Sequence, residues 1–343
     1  MACRICRVLA SIALLLLANS EGVWARAFDN AEKQVVVVRA GELLSQRYIF
    51  PEKADQARTV ISNAMKTGAY DDIADPSAFA VRLTDNLRSV THDPHMKVFV
   101  SAEQFTTPSP SAGMTRPLMR AGFAAVDRLK GNIGYIKLNA FPPIGSFRPI
   151  AGLAVSNLMS TNALIIDLRD NGGGEPESVA YLCSFFFDPK QPVHLNDVVA
   201  RVPGTRTFKR EEYWTKPVPS SYLHKPVYLL TSKLTFSGGE EFAYNLKVLR
   251  RARVVGETTA GGAHPTDYAE LDKRFGMFIP WGRAENPITK SDWEGTGVAP
   301  DEAVKGDEAF RAAMLDITHD SGLRLELAKH SDVRSFIESR FLK

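Results

Sequence analysis

The stretch Leu164–Gly174, with the sequence LIIDLRDNGGG, carries the pattern that decides the fold. Apolar residues up to Asp167 predict a buried strand, and three glycines follow it before a helical pattern starts near Glu177. Similar apolar runs recur at residues 97–100, 134–138, 226–230 and 253–255, and helical patterns lie at 150–159, 177–187 and 237–249. Strands that alternate with helices are typical of α/β proteins, so we predict a mixed, mostly parallel sheet with crossover helices.

A helical unit precedes this alternation. Apolar residues from about 31 to 90 follow helical spacing, which fits about three helices. Gly68 stands where one helix is expected to end, and the pair Asp75–Pro76 predicts the start of the next, because proline favours the first helical position. The predicted parts of the chain are a helical domain, an α/β domain and a C-terminal helical segment, at residues 28–96, 97–306 and 307–343.

The first 27 residues have the features of a secretory signal peptide. Arg4 and Arg7 give a positive start, residues 8–18 are apolar apart from one serine, and Ala25–Ala27 is an A-x-A cleavage pattern. The apolar run is too short to cross a membrane as a helix. We therefore expect an exported chain, periplasmic or secreted, without a membrane span after cleavage. An uncleaved N-terminal anchor is the alternative.

Composition excludes several classes of function. The 343 residues include 42 Lys and Arg against 39 Asp and Glu, a net charge of +3 without a basic run, so no nucleic-acid partner is expected. Cys183 is the one cysteine outside the predicted leader, which leaves neither a disulfide framework nor a cysteine-based metal site. Because no metal-ligand spacing such as H-E-x-x-H occurs, we expect no metal and no cofactor.

A serine lies where a second apolar strand is followed by a helix, in the sequence LLTSKLTFSGGEEF at residues 229–242. A hydroxyl at Ser237 would gain from the helix N-terminus, which stabilises developing negative charge. Gly238 supplies an unhindered amide beside it. The alternative is that Ser237 only caps the helix, with Glu240 completing a capping box, and the pattern alone favours this role. The two roles are compatible.

The glycines at 172–174 have a chemical use as well. Their N–H groups can point at an anion, because glycine permits close approach to the backbone. No G-K-[ST] or G-x-G-x-x-G pattern accompanies them, so an oxyanion hole is favoured over a phosphate site. A tight turn without any ligand is the alternative.

A serine nucleophile requires a base, and two histidines are candidates. His95 belongs to the sequence THDPHM, at the junction of the helical unit and the first strand. His264 closes a second glycine-rich stretch, GETTAGGAH at residues 256–264. Any single histidine is more often structural than catalytic, so the pattern alone does not choose between the two.

The order of five motifs gives a more specific signal. DPH, IIDLRDNGGG, TSKLTFSGGEEFA, VVGETTAGGAH and WEGTGVAPD follow one another in a sequence that resembles the S41 serine peptidases. That family includes C-terminal processing peptidases, the tricorn core protease and the interphotoreceptor retinoid-binding protein modules, and the resemblance is greatest to the last branch. It implies a ClpP/crotonase-like core and a serine peptidase that acts on peptide or protein substrates.

The resemblance also implies roles for particular residues. Ser237 corresponds to the nucleophile and His95 to the histidine base of tricorn-like members. Glu294, in WEGTGVAPD, corresponds to a glutamate of their catalytic tetrad. The amides of Gly238 and Gly173 would form the oxyanion hole.

Two departures from the family patterns affect this assignment. Processing peptidases carry a lysine base at the position of Gly262, so a Ser–Lys dyad is not available here. Pro94 replaces the serine that precedes the histidine in tricorn-like members, so the group that orients the imidazole must differ. Asp93 and Glu294 are the two candidates.

Two other functions stay open at this point. Retinoid-binding members of the family carry hydrophobic ligands, so a catalytically weak module that binds an apolar small molecule is the main alternative. A wide apolar cavity with Ser237 far from His95 would favour it. Phe185–Phe187 and Trp281 could line an apolar pocket, although as core residues they need no such role. A hydrolase of small esters or amides is the third hypothesis.

Overall fold

The computed structural model describes residues 28–101 and 116–319, so the predictions for the leader and for residues 320–343 lie outside the described residues. The N-terminal region contains three helices, α1 (Asn30–Arg47), α2 (Pro51–Lys66) and α3 (Pro76–Thr91). As predicted, α3 begins at Pro76, and the Asp75 side chain caps it by accepting from Ala78 N at 3.0 Å.

The remaining elements follow in chain order. They are β1 (Lys97–Val100), α4 (Arg116–Arg120), β2 (Phe123–Leu129), β3 (Ile133–Leu138), α5 (Ile144–Leu158), β4 (Ala163–Asp167), α6 (Pro176–Ser184), β5 (His194–Arg201), β6 (Phe208–Trp214), β7 (Val227–Thr231), α7 (Gly238–Val248), β8 (Arg253–Gly256), β9 (Thr266–Glu270), β10 (Phe275–Pro280), β11 (Gly282–Glu285), β12 (Glu302–Ala303) and α8 (Ala309–His319).

The main sheet has six strands in the order β12-β8-β7-β4-β3-β2. Only the β2–β3 pair is antiparallel, and β3, β4, β7, β8 and β12 run parallel. This confirms the predicted mixed, mostly parallel α/β fold. Because β4 and β7 are neighbours in register, with Asp167 opposite Leu230, the segments that follow them leave the sheet side by side. The glycine turn and Ser237 are brought together in this way.

Both faces of the central strands are buried. Alternate residues of β4 and β7, such as Ile166 and Leu229, belong to the core beneath α5, α6 and α7. Their neighbours Ile165 and Leu230 pack on the opposite face against α8. Burial on both faces explains why these strands are continuous apolar runs and could be recognised in the sequence.

Two small antiparallel sheets complete the fold, in the orders β1-β10-β9 and β11-β5-β6. The predicted first strand, β1, therefore pairs outside the main sheet. Residues of β10 such as Phe275 and Met277 share one hydrophobic core with α1, α2 and α3. The helical region is thus attached to the rest of the chain through strands that lie far away in sequence, and it carries His95 toward Ser237.

Candidate active site

Ser237 occupies a strained turn between β7 and α7. Its φ of 53° and ψ of −123° lie in a region that non-glycine residues rarely adopt. It precedes the first residue of α7, and its carbonyl accepts the N–H of Glu241 at 2.9 Å, so the helix starts directly at the serine. Strain of this kind persists only where the surroundings impose it, and it is common at functional sites.

The buried Glu240 carboxylate imposes that geometry. Its Oε2 accepts the N–H of Ser237 at 2.9 Å, as a capping box requires, and the N–H of Gly262 at 2.8 Å. Its Oε1 accepts the N–H of Gly261 at 2.6 Å and the hydroxyl of Thr259. Burial raises the pKa of Glu240, while these four hydrogen bonds act in the opposite direction. Glu240 therefore joins the serine turn to the turn at residues 259–262.

The glycine turn, residues 172–174, packs directly against the serine. A Cβ added at Gly173 would lie 2.5 Å from Ser237 Cβ, so only glycine allows this approach. The turn is held by Asn171, which is fully buried. Asn171 donates to Leu138 O at 2.9 Å and accepts the N–H of Gly173 at 2.8 Å. The Gly173 amide, which the sequence suggested for the oxyanion hole, is thus already engaged.

Two other amides are free beside the serine. Within residues 28–101 and 116–319, the N–H groups of Gly174 and Gly238 have no hydrogen-bond acceptor. The two residues are adjacent, since a Cβ added at Gly238 would lie 3.0 Å from Gly174 N. An oxyanion hole needs two such unengaged donors close to the nucleophile. The geometry therefore favours Gly174 together with Gly238.

His95 reaches the serine turn from the loop between α3 and β1. Helix α3 ends at Thr91, and His92 caps it in a left-handed conformation with φ of 54°. Arg88 then fixes the loop by donating to Met96 O at 2.8 Å and to the carbonyl of Pro94. The His95 ring packs on the ring of Phe236, the residue before the serine, with 4.3 Å between centroids.

Gly262 explains why a histidine and a lysine cannot both be accommodated here. A Cβ at this position would lie 2.2 Å from the Phe236 ring and 2.7 Å from His95 Cε1. The position at which processing peptidases carry their lysine thus has no room for any side chain. His95 and Phe236 occupy that space.

A cluster of polar groups lies behind His95. The Asp93 carboxylate accepts three hydrogen bonds: Oδ1 accepts the N–H of His95 at 3.0 Å, and Oδ2 accepts His264 Nδ1 at 2.6 Å and the Tyr48 hydroxyl at 3.3 Å. Glu294 accepts from the backbone at only one oxygen, Oε2. Among the described residues, neither its Oε1 nor His95 Nδ1 has a hydrogen-bond partner, and both atoms are buried.

Of the two carboxylates in this cluster, Glu294 keeps an oxygen that accepts no hydrogen bond from the described residues. One ligand atom each from Asp93, His95 and Glu294 lies within 4.8 Å of the other two, and this is the group among the described residues that could hold a cation. His264 Nδ1 is 3.5 Å from Glu294 Oε1 but is hydrogen-bonded to Asp93. His264 therefore acts as a support for Asp93, while Glu294 keeps an acceptor for His95.

Burial sets the protonation states of these groups. It lowers the pKa of His95 to about 4, so the imidazole is neutral near pH 7. It raises the pKa of Glu294 to about 7. Burial would lower the pKa of His264, but the Asp93 hydrogen bond together with the negative charges of Asp93 and other nearby carboxylates outweighs this effect and raises that pKa. A neutral imidazole beside the serine is the form that can accept a proton.

One cavity of about 300 Å³ joins these groups. Ser237, His95, Gly174 and Gly238 all line it, whereas His264 does not. Trp281 is also part of its wall, but the expected Phe185 and Phe186 are buried in the core instead. The cavity is thus neither wide nor purely apolar, and the serine faces the same space as the histidine.

Comparison with known sequences identifies the family. The sequence model of peptidase family S41 matches residues 132–304, half of the chain, from β3 to the end of the main sheet. The chain belongs to peptidase family S41. Residues 30–123 match a second model, described as the N-terminal domain of Peptidase S41 in eukaryotic IRBP. The suggested resemblance is confirmed, and family membership supports a serine-type peptidase.

The chain is similar to the chloroplastic carboxyl-terminal-processing peptidase 2 of Arabidopsis thaliana, with 31% identity over 192 residues. That stretch is 54% of this chain but 35% of the plant protein, so little more than a third of the relative is spanned.

Two solved structures share the fold. A protein of Parabacteroides merdae superposes with a TM-score of 0.59 at 18% identity, covering 84% of this chain and 98% of that one. The photosystem II D1 C-terminal processing protease superposes with a TM-score of 0.50 at 16% identity, and the match covers 80% of this chain and 93% of that one.

Several site residues were not apparent from the sequence. Gly174 has the same local sequence as Gly173, and only the Asn171 hydrogen bond distinguishes them. Glu240 was recognised as a cap, but its contacts with residues 259–262 were not.

Within the described residues, no helix combines the length and the apolar character that crossing a bilayer would require.

Proposed function

We propose that this chain is an exported serine-type peptidase that cleaves peptide bonds by acyl transfer to Ser237. The observation that carries the proposal is that Ser237, a neutral His95 and two unengaged amides line one cavity. A catalytically inert binding module would have no need for a strained serine whose turn is held by a buried carboxylate.

In the proposed reaction, His95 takes the proton of the Ser237 hydroxyl while the serine oxygen attacks the carbonyl carbon. The oxyanion that forms accepts hydrogen bonds from the N–H groups of Gly174 and Gly238. His95 then gives its proton to the leaving amine as the C–N bond breaks, which leaves an acyl ester on Ser237. Water, deprotonated by His95, attacks the ester and releases the acid.

Glu294 has a positioning role in this proposal. Its free Oε1 is the acceptor available to His95 Nδ1, because the oxygens of Asp93 are already engaged. An ionised Glu294 would favour the imidazolium that forms as Ser237 attacks. Asp93 and His264 stabilise the cluster on the side away from the cavity and do not contact the substrate.

The leader belongs to the same proposal. Residues 1–27 have the positive start, apolar run and A-x-A pattern of a signal peptide. N-terminal sequencing of the exported protein should find a chain that begins at Phe28. Recovery of the protein with an intact N-terminus would contradict export by cleavage of a leader.

The test of the enzymatic proposal is covalent labelling by a fluorophosphonate. The purified protein should be labelled under native conditions, and the label should be absent from the Ser237→Ala variant and from heat-denatured protein. Because Ser237 is held by backbone contacts, that variant is expected to fold normally, which circular dichroism will check. No labelling of the folded protein would contradict the proposal and favour the ligand-binding alternative.

A further inference from the structure

A second carboxylate lies beneath the serine, and the proposed reaction does not use it. Glu241 follows Ser237 by four residues on α7, about one helical turn or 5.4 Å along the axis. Its side chain is only 5% exposed and lines the same cavity as the serine. Among the described residues, its Oε1 has no hydrogen-bond partner, and no basic side chain forms an ion pair with it.

Two further polar groups of this cavity also lack partners. Asn196, on β5, is fully buried, and its amide approaches the Glu241 carboxyl closely enough to oppose the rise of that group's pKa, but neither its Oδ1 nor its Nδ2 makes a well-formed hydrogen bond in the described part of the chain. The indole N–H of Trp281, between β10 and β11, likewise has no hydrogen-bond partner among the described residues. Buried polar atoms are normally hydrogen-bonded in native proteins. Three separate elements that bring unpaired atoms to one cavity indicate a site for a polar ligand group.

The charge of the cavity indicates the sign of that group. Glu175 and Asp267 line it together with Glu241, and none of its described lining residues is a lysine or an arginine. Burial raises the pKa of Glu241 to about 8, so the carboxyl is largely neutral at pH 7 unless a cation lies beside it. A cation placed against Glu241 would favour the ionised carboxylate and form a charge-assisted hydrogen bond.

We propose that Glu241 and Asn196 form the specificity pocket for a lysine or arginine side chain of the substrate, next to the bond that Ser237 cleaves. The inference rests on the proposed peptidase function and names its substrate class. The oxygens of Glu241 and Asn196 would accept from the ammonium or guanidinium group. An apolar side chain would leave them unpaired, and an acidic one would meet like charge.

The distance along α7 between Ser237 and Glu241 suits this assignment. A lysine side chain extends over roughly the length of one helical turn, so its stem can pass Gly238 and its charged end can meet Glu241. The apolar stem would contact Val198 and Ala284, which also line the cavity.

Two phosphonate probes test the inference with the intact protein. Both are peptidyl diphenyl phosphonates that react with the active serine, and they differ in one group: an aminobutyl side chain, as in lysine, or a neutral pentyl side chain of the same length, in which a methyl group replaces the ammonium. We expect Ser237 to react roughly 30-fold or more faster with the aminobutyl probe, the effect of a buried charge pair. Glu241→Gln should bring the ratio close to one. Glu177→Gln, at an exposed carboxylate of α6 outside the cavity, should leave the ratio unchanged.

The outcomes separate the inference from the function on which it rests. Equal rates for the two probes in the wild-type protein would overturn the inference, while labelling of Ser237 would uphold the peptidase proposal. An unchanged ratio in Glu241→Gln would also overturn it. Failure of either phosphonate and of the general fluorophosphonate to react would overturn both. The wild-type ratio decides the matter even if the Glu241→Gln variant does not fold.

Discussion

The serine side and the histidine side of the cavity are held by different kinds of contact. On the serine side, Glu240 has four hydrogen-bond donors on its two oxygens, and Asn171 holds the glycine turn through the backbone. On the histidine side, His95 Nδ1 and Glu294 Oε1 are buried without partners in the described chain, and burial shifts the pKa of both groups.

This difference indicates which parts are fixed before substrate binds. A fully hydrogen-bonded serine turn presents the nucleophile and the two amides in one geometry, as an oxyanion hole requires. The unpaired histidine and glutamate can change protonation and form their hydrogen bond as charge develops. Catalytic hydrogen bonds are often long in the absence of substrate and shorten in the reacting complex.

The largest effect should come from the base itself. His95→Ala removes the proton acceptor, so kcat for peptide hydrolysis should fall by about 10⁴-fold or more. His264→Ala should cost much less, because His264 supports Asp93 and does not line the cavity. Steady-state kinetics of both variants will measure this. Full activity in His95→Ala with loss in His264→Ala would reverse the assignment of the base.

The oxyanion hole gives the next effect. Gly174→Ala places a Cβ 1.9 Å from the Phe141 carbonyl oxygen at a φ of 139°, so the amide must move and kcat should fall by about 10²–10³-fold. Gly172→Ala is the matched control, because no atom of the described residues lies within 4 Å of its added Cβ. Equal kcat values in the two variants would show that Gly174 N–H is not a donor to the oxyanion.

The contacts on the serine side of the cavity should affect the stability of the protein as well as its rate of catalysis. Glu240→Ala leaves three backbone N–H groups and the Thr259 hydroxyl without their acceptor, so the free energy of unfolding should fall by about 3 kcal/mol or more. Urea denaturation measures this loss, and Glu177→Ala, at an exposed position, provides the control. A change below about 0.5 kcal/mol, the usual range for surface substitutions, would contradict the role given to Glu240.

The histidine side of the cavity should determine how kcat depends on pH. Glu294 becomes ionised as the pH rises through about 7, and the carboxylate then stabilises the His95 imidazolium. Below this pH, kcat should fall by about tenfold, equivalent to one pKa unit of the imidazole. It should vanish only as His95 itself is protonated near pH 4. Glu294→Gln should lack the step near pH 7. A step that persists in this variant would assign the titration to another group.

The parts of the fold that sequence predicts are those with strong local patterns. Strands β4 and β7 are buried on both faces, so each is a continuous apolar run, and Asp75–Pro76 marks the start of α3. The edge strand β6, by contrast, has the sequence FKREEYW and is largely exposed, so its residues give no apolar pattern. The pairing of β1 with β10 joins segments far apart in the chain, which local patterns cannot indicate.

The residues of the site also differ in whether the sequence could predict them. Ser237 and His95 belong to contiguous motifs and were recognisable from them. The choice between adjacent glycines depends on one hydrogen bond from Asn171. Glu241 and Asn196 come from a helix and a strand that meet only in the folded chain, and nothing in the sequence linked them. The sequence therefore suggested an apolar pocket, whereas the structure has three carboxylates in the cavity wall.

The most direct test of the account is a crystal structure of the protein after reaction with a phosphonate. We expect phosphorus bonded to Ser237 Oγ, one phosphonyl oxygen within about 2.7–3.1 Å of the N atoms of Gly174 and Gly238, and the His95 ring hydrogen-bonded to the adduct. A phosphonyl oxygen bound elsewhere, or His264 in place of His95 beside the adduct, would contradict it.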